Sequence, residues 1–177
     1  MFNTLRVLLI SSCVVGACSS IARADVVTVP NVDLSRYAGL WYEIGSNPTW
    51  FQRNCHCTTA KYDLRPDGKV AVVNSCRRPS VDSDNDTIHG TARVVDTDSN
   101  ARLLVSFFWP MAGSYNIIGL DADYRWAVVT DDRAKMLWIL SRTPVLESPM
   151  LEAAWAAATA QVDVSRFHFT VQSGCPK

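Results

Sequence analysis

Gly39-Leu40-Trp41-Tyr42-Glu43 is a glycine followed by a short aromatic and apolar run. Aromatic and apolar residues favour extended backbone on a half-buried pleated surface, so residues 40–44 are predicted to form a strand. Seven more segments of this kind follow at spacings of roughly ten to fifteen residues, which is typical of an all-β barrel or sandwich. They are residues 58–64, 69–74, 87–95, 102–108, 115–120, 126–130 and 136–141.

Turn residues separate these segments, and one helix follows them. Residues 65–69 read Arg-Pro-Asp-Gly-Lys, in which proline presets φ and glycine accepts a positive φ, so they are predicted to form a hairpin turn. Residues 148–161 are rich in alanine and place apolar side chains at helical spacing, with Ser148 as the predicted N-cap and Pro149 in the first turn. Residues 167–171 are predicted to form one more short strand.

The composition is that of one globular domain. The chain has 177 residues, 19% of them charged and 48% hydrophobic, and its 17 basic and 17 acidic side chains balance. A balanced charge gives no reason to expect a nucleic acid as partner. His56, His89 and His168 lie in no recognised catalytic motif, and Asp131-Asp132 is interpreted as a solvated turn. The chain also lacks a glycine-rich phosphate loop, so we predict a binding protein without a cofactor.

The first residues predict export. Arg6 precedes an uncharged apolar run that is too short to span a bilayer comfortably. Ala22-Arg23-Ala24 is a signal-peptide cleavage pattern. Cleavage there would make residues 1–24 the signal peptide and residues 25–177 a single mature domain.

A second processing signal competes with the first. Val15-Gly16-Ala17-Cys18 resembles a bacterial lipoprotein site, which would end the signal at residue 17. Cys18 would then be acylated and would tether the protein to a membrane. Both alternatives remain open at this point.

The cysteines support an oxidising compartment. Cys55, Cys57, Cys76 and Cys175 remain after either processing event, and an even number in an exported chain predicts two disulfides. Four cysteines allow three pairings, and their spacing does not choose among them. A metal site around Cys55-His56-Cys57, with Cys76 as a further ligand, is the alternative. Zinc sites more often have regularly spaced C-x-x-C pairs, so no metal is predicted.

Three short motifs resemble those of the lipocalin family. The first is the G-x-W pattern in Gly39-Leu40-Trp41-Tyr42-Glu43. The second, Asp121-Ala122-Asp123-Tyr124, is similar to the family's T-D-Y motif without its threonine. The third, Leu137-Trp138-Ile139-Leu140-Ser141-Arg142-Thr143-Pro144, has its arginine after the last predicted barrel strand. Their order and spacing fit the family.

Further segments resemble the subgroup of bacterial outer-membrane lipocalins and apolipoprotein D. Val105-Ser106-Phe107-Phe108-Trp109-Pro110 and Tyr115-Asn116-Ile117-Ile118 are similar to the bacterial members, and Gly174-Cys175-Pro176-Lys177 is similar to apolipoprotein D. In this subgroup a cysteine at the Cys57 position bridges to the C-terminal cysteine. The resemblance therefore implies the disulfide Cys57–Cys175 and leaves Cys55–Cys76 by exclusion.

The resemblance implies an eight-stranded antiparallel up-and-down β-barrel with one C-terminal α-helix and a short final strand. One end of such a barrel is closed, and Trp41 and Arg142 are expected to stack there in a cation–π contact. Together with Gly39, Asp123 and Tyr124, they are predicted to be structural residues.

The resemblance also implies a small hydrophobic ligand, such as a fatty acid or a lysophospholipid, carried at the bacterial cell envelope. The expected location is the periplasm or outer membrane, or the medium if the protein is secreted, with a monomer or homodimer as the assembly. A lipocalin-fold enzyme is the alternative, and a reactive polar group in the pocket would favour it. The candidate ligand contacts are aromatic or amide side chains: Trp50, Phe51, Tyr62, Phe107, Trp109, Tyr115, Asn116 and Trp126.

Overall fold

A computed structural model describes residues 25–47 and 49–176, so the predicted export segment and Cys18 lie outside the described residues. Neither helix in this part of the chain is long and apolar enough to cross a membrane. A short 3-10 turn, Trp50–Gln52, lies in the first long loop. The helices and strands are α1 (Leu34–Tyr37), β1 (Gly39–Ser46), β2 (His56–Leu64), β3 (Val70–Arg77), β4 (Asn85–Val94), β5 (Arg102–Phe108), β6 (Met111–Leu120), β7 (Trp126–Thr130), β8 (Leu137–Ser141), α2 (Ser148–Thr159) and β9 (His168–Phe169).

The first eight strands form one closed antiparallel barrel. Each strand pairs with the next along the chain, and β8 pairs with β1 to close the sheet, as in the pair Glu43–Leu140. The predicted barrel, with one helix after it and a short extra strand, is therefore confirmed. Closure removes the exposed row of unpaired backbone groups that an open sheet would present at its edges.

The short final strand fills a seam between β1 and β2. The β1–β2 ladder ends at the pair Tyr42–Thr59. Beyond this point Gly45 and Ser46 pair with β9 instead. The C-terminal tail, residues 168–176, therefore lies where the two strands separate.

Two disulfides fasten this region. Cys57 is bonded to Cys175, and the Cys57 amide also donates to the carbonyl oxygen of Val171 at 2.9 Å. Cys55 is bonded to Cys76 on β3. Because these cysteines are oxidised, they provide no thiolate for a metal or for a reactive thiol–imidazole pair around His56.

Alternation along the strands divides the apolar side chains into two cores. One core fills the interior of the barrel, which we call the lumen, and includes Trp41, Tyr62 and Ile117. The other lies between the outer wall of the barrel and α2, and includes Trp126 and Ala154. The helix therefore covers one side of the barrel and does not enter the lumen.

The start of α2 differs by one residue from the sequence prediction. The carbonyl oxygen of Glu147 accepts the first helical hydrogen bond, from the amide of Leu151 at 2.9 Å. This bond places Glu147, and not Ser148, at the N-cap position. Pro149 lies in the first turn as predicted, where its missing N–H costs no helical hydrogen bond.

Arg142 and Trp41 meet at the closed end of the barrel, beside α1. The guanidinium carbon of Arg142 lies 3.8 Å from the centroid of the Trp41 ring. Gly39 has a φ of +96°, and a Cβ there would lie 3.3 Å from Nη1 of Arg142, so both backbone and space favour glycine. The guanidinium also donates to five carbonyl oxygens, those of Arg36, Tyr37, Ala38, Leu40 and Tyr124.

The second motif forms the turn between β6 and β7. Tyr124 is buried, and its hydroxyl accepts a hydrogen bond from the Asp33 amide at 2.8 Å. The carboxylate that organises the turn is that of Asp121, which accepts from the amides of Asp123 and Arg125 and from the Arg125 guanidinium. The hydrogen bond from the Arg125 side chain is the main reason that the pKa of Asp121 is lowered. The Asp123 side chain is 74% exposed, so the structural role predicted for Asp123 belongs to Asp121.

Replacing Arg142 by alanine should lower the free energy of unfolding by about 2 kcal/mol. The change removes a cation–π contact worth roughly 0.5–2 kcal/mol and the guanidinium hydrogen bonds to five carbonyl oxygens, of which that of Tyr37 keeps the Trp41 indole as a donor. The loss stays moderate because water reaches part of this site. Urea denaturation measures the loss. The variant Arg142→Lys should recover only part of it, since an ammonium cannot reproduce the planar set of donors.

Lys61→Ala is the matched control for this measurement, because Lys61 forms an exposed ion pair with Asp63. Such pairs contribute about 0–1 kcal/mol. If Arg142→Ala is as stable as Lys61→Ala, Arg142 does not hold the closed end together.

Candidate ligand-binding site

The lower half of the lumen contains a cavity of about 370 Å³, counting the space that opens to solvent. Its walls are apolar side chains of α1 and of β2 to β6, together with three tyrosines, Tyr37, Tyr62 and Tyr115. The enclosed part is narrow, with room for about one water molecule. A long ligand can therefore enter this part only if lining side chains change rotamer.

The hydroxyls of the three tyrosines form a chain, which we call the phenol cluster. The Tyr115 hydroxyl lies 2.7 Å from that of Tyr37 and 3.0 Å from that of Tyr62. Burial raises the pKa of Tyr37 and of Tyr115, and raises the pKa of Tyr62 to about 12. All three phenols are therefore uncharged at neutral pH and can donate hydrogen bonds.

Glu43 is the polar centre of the upper lumen. It shares a strand face with Trp41 and is buried. Its carboxylate accepts hydrogen bonds from the hydroxyls of Ser46 and Thr170 at 3.1 and 2.6 Å and from the amide of Gln52 at 2.8 Å. The network joins β1 to the first loop and to the C-terminal tail.

Glu43 was not among the residues predicted for the site, although the sequence carries a signal for it. It follows Trp41 by two residues, so alternation places both on the same face of the strand. Trp138 extends the same network from β8, because its indole N–H donates to the side-chain oxygen of Gln52 at 3.0 Å. The sequence motif identifies Trp138 only as a strand residue.

Two further polar atoms on the neighbouring wall have no hydrogen-bond partner among the described residues. They are Oγ1 of Thr58 and Oδ1 of Asn74, both buried. Asn74 pairs with Ala60, which belongs to the lumen core, and Thr58 precedes Ala60 by two residues. Alternation therefore directs both side chains into the lumen.

Several predicted aromatic contacts lie at the mouth, the end of the barrel opposite α1. Trp50 and Phe51 follow β1 and contact each other edge to face, with ring centroids 5.7 Å apart. Trp109 caps the β5–β6 hairpin and is 91% exposed. Phe107 lies inside, where its ring occupies the space that a Cβ on Gly90 would need. The structure thus brings Tyr62, Tyr115 and Phe107 into the lumen. It leaves Trp50, Phe51 and Trp109 on the rim of the mouth.

The prediction that Asn116 and Trp126 line the lumen is wrong. Asn116 lies between Tyr115 and Ile117, which both face inward, so its own side chain points out and donates to Asp132 at 2.8 Å. Trp126 belongs to the core beneath α2. Both are buried, but on the outer side of the barrel wall, where α2 covers Trp126.

The family model of the lipocalin-like domain matches residues 32–172. The chain is 40% identical over 160 residues to the outer membrane lipoprotein Blc of Escherichia coli, covering 89% of this chain and 90% of that protein. It is 32% identical over 156 residues to apolipoprotein D of Macaca fascicularis, covering 83% and 80% of the two chains.

A solved structure agrees with the fold. Insecticyanin from the tobacco hornworm Manduca sexta superposes with a TM-score of 0.69 at 21% identity, covering 85% of this chain and 86% of that one. Sequence motifs, family match and barrel topology lead to one conclusion: the chain belongs to the lipocalin family.

Proposed function

We propose that the protein binds a small hydrophobic ligand in its lumen and carries or stores it, with fatty acids and lysophospholipids as the expected ligand types. The observation that carries the proposal is the lower lumen, whose walls are apolar side chains and neutral phenols. The stacked Arg142 and Trp41 at one end support ligand entry from the mouth.

The polar side chains in and around the lumen fit a role in binding a ligand better than a role in catalysis. The Glu43 carboxylate accepts three side-chain hydrogen bonds, so a ligand would compete with three protein donors for its oxygens. His89 and His168 are exposed on the outside of the barrel. Other polar groups in the lumen, such as the Tyr115 and Thr58 hydroxyls and the Asn74 amide, can orient a ligand.

The proposed location is the bacterial cell envelope, in the periplasm or at the outer membrane. The Escherichia coli relative bears the name outer membrane lipoprotein, which supports this placement. Acylation of Cys18 would tether the protein, whereas cleavage after Ala24 would release it, and the two mature forms differ in mass. A monomer or a homodimer is compatible with a lumen formed by one chain.

Saturating hexadecanoate or a lysophospholipid should quench the tryptophan fluorescence of the protein and displace a bound apolar fluorophore. The reason is that Trp138 lies in the lumen, where a ligand changes the polarity around its indole. A fluorescence titration measures the effect. If neither the emission spectrum nor the bound fluorophore responds to saturating lipid, the proposed function is wrong.

Two tryptophan variants locate the signal. Trp138→Phe should lose part of the quenching, since Trp41 also lies in the lumen, whereas Trp155→Phe should keep all of it, because Trp155 packs on Phe167 outside the barrel with centroids 5.1 Å apart. Equal responses in the two variants would mean that the lipid binds outside the lumen.

A further inference from the structure

We infer that the phenol cluster is a subsite for an uncharged carbonyl oxygen, so that among ligands of equal chain length the lumen prefers a ketone, aldehyde or ester, held with its carbonyl end inward, to a fatty-acid anion. This inference rests on the proposed function, since it requires that the lumen bind a ligand. It adds an orientation and a chemical selectivity that an apolar lumen alone does not have.

The first support is the number of protons in the cluster. Three phenolic hydroxyls carry three protons, and the two hydrogen bonds that join them use two. None of the three hydroxyls has another hydrogen-bond partner in the described part of the chain. One buried O–H is therefore left to donate, and it belongs to a tyrosine that lines the cavity.

The second support is the charge of the surroundings. Glu43 is the one charged side chain among the described residues that are buried, and it is an acid. The nearby cation, Arg142, is stacked on Trp41 and occupied by backbone carbonyl oxygens. An ionised carboxylate at the phenol cluster would lose its hydration without gaining a cation, whereas a carbonyl oxygen loses much less.

The third support is the polar wall above the cluster. Tyr62, Thr58 and Asn74 lie on the adjacent strands β2 and β3, and the last two have unpartnered buried atoms directed into the lumen. A second ligand oxygen, such as that of an ester, would accept a hydrogen bond from the Thr58 hydroxyl while the alkyl chain runs past Phe107 toward the mouth. The wall offers neutral donors and acceptors along its length.

The test compares three probes of equal chain length: dodecan-2-one, dodecanoate at pH 8, and dodecane. Each is titrated against the protein carrying a displaceable lumen fluorophore. We expect the ketone to bind about tenfold more tightly than either dodecanoate or dodecane, because the ketone gains one hydrogen bond from a buried donor. Dodecanoate binding as tightly as the ketone would overturn the inference.

Phenylalanine variants provide the second measurement. The triple variant Y37F/Y62F/Y115F keeps the rings and removes all three donors, so it should bind the ketone about tenfold more weakly and dodecane unchanged. Each single variant retains at least one uncommitted proton and should lose less. Tyr42→Phe is the control, because Tyr42 alternates with Trp41 and faces away from the lumen.

The outcomes separate this inference from the proposed function. If the ketone, dodecanoate and dodecane bind the parent with the same affinity, and the triple variant changes none of the three affinities, the subsite does not exist. The lumen then remains an apolar carrier site. If none of the probes displaces the fluorophore from the parent, and lysophospholipid also fails, both proposals are overturned. If the triple variant does not fold, the preference of the parent among the three probes decides.

Discussion

Replacing both Cys57 and Cys175 by alanine should lower the free energy of unfolding by about 4–5 kcal/mol in the chain-entropy model. The bond joins residues separated by 118 positions, so it closes a loop that contains about two thirds of the 177 residues in the unfolded chain. In the folded state it anchors the tail that fills the seam between β1 and β2. Urea denaturation without reductant measures the change.

The second disulfide supplies a matched control. Cys55 and Cys76 are separated by 21 positions, so their replacement by alanine should cost about 3 kcal/mol, roughly 1.5 kcal/mol less. Amide exchange adds a local readout, because loss of Cys175 should expose the Thr170 amide, which donates to the Ile44 carbonyl oxygen. An equal loss in both double variants would show that loop length does not set the contribution of these bonds.

The strands were predictable because most carry a clear pattern of period two or a strong turn beside them. Residues 58–64 alternate, and residues 65–69 form the hairpin turn that their proline and glycine predict. The strand after the turn extends to Arg77, three residues beyond the predicted end at residue 74. Its last part contains Cys76, whose disulfide bond to Cys55 holds this part of the strand in place. Strand propensity alone does not predict such a covalent link.

The lumen was less predictable, because β6 and β7 have no alternation to show which side faces inward. Every residue of β7, Trp126–Thr130, is buried, since α2 covers the outer face that would otherwise be polar. In β6 an irregularity between Ile117 and Gly119 breaks the register, and both Ile118 and Gly119 face the helix. The error at Trp126 follows from the cover that α2 provides. The error at Asn116 has a different cause, because Asn116 alternates with Tyr115 and only one of two neighbouring residues can face the lumen.

Replacing Gly113 by phenylalanine should weaken lipid binding about a hundredfold. Gly113 pairs with Val105, a lumen residue, and a Cβ built on it meets nothing within 4 Å. Its φ lies outside the left-handed region, so a side chain causes no backbone strain. A phenyl ring there would occupy the upper lumen, and forcing a ligand past it costs about as much as overpacking a core, roughly 1–3 kcal/mol.

The neighbouring position gives the control for blocking the lumen. Ala112→Phe adds the same ring one residue earlier on β6, where alternation directs it away from the lumen. Both variants should unfold within about 0.5 kcal/mol of the parent, because both sites are exposed and phenylalanine favours strands. Fluorophore displacement by hexadecanoate should then fail in Gly113→Phe and succeed in Ala112→Phe. Equal binding by the two variants would place the lipid outside the lumen, since a ring at residue 113 can obstruct only a ligand that passes through the mouth.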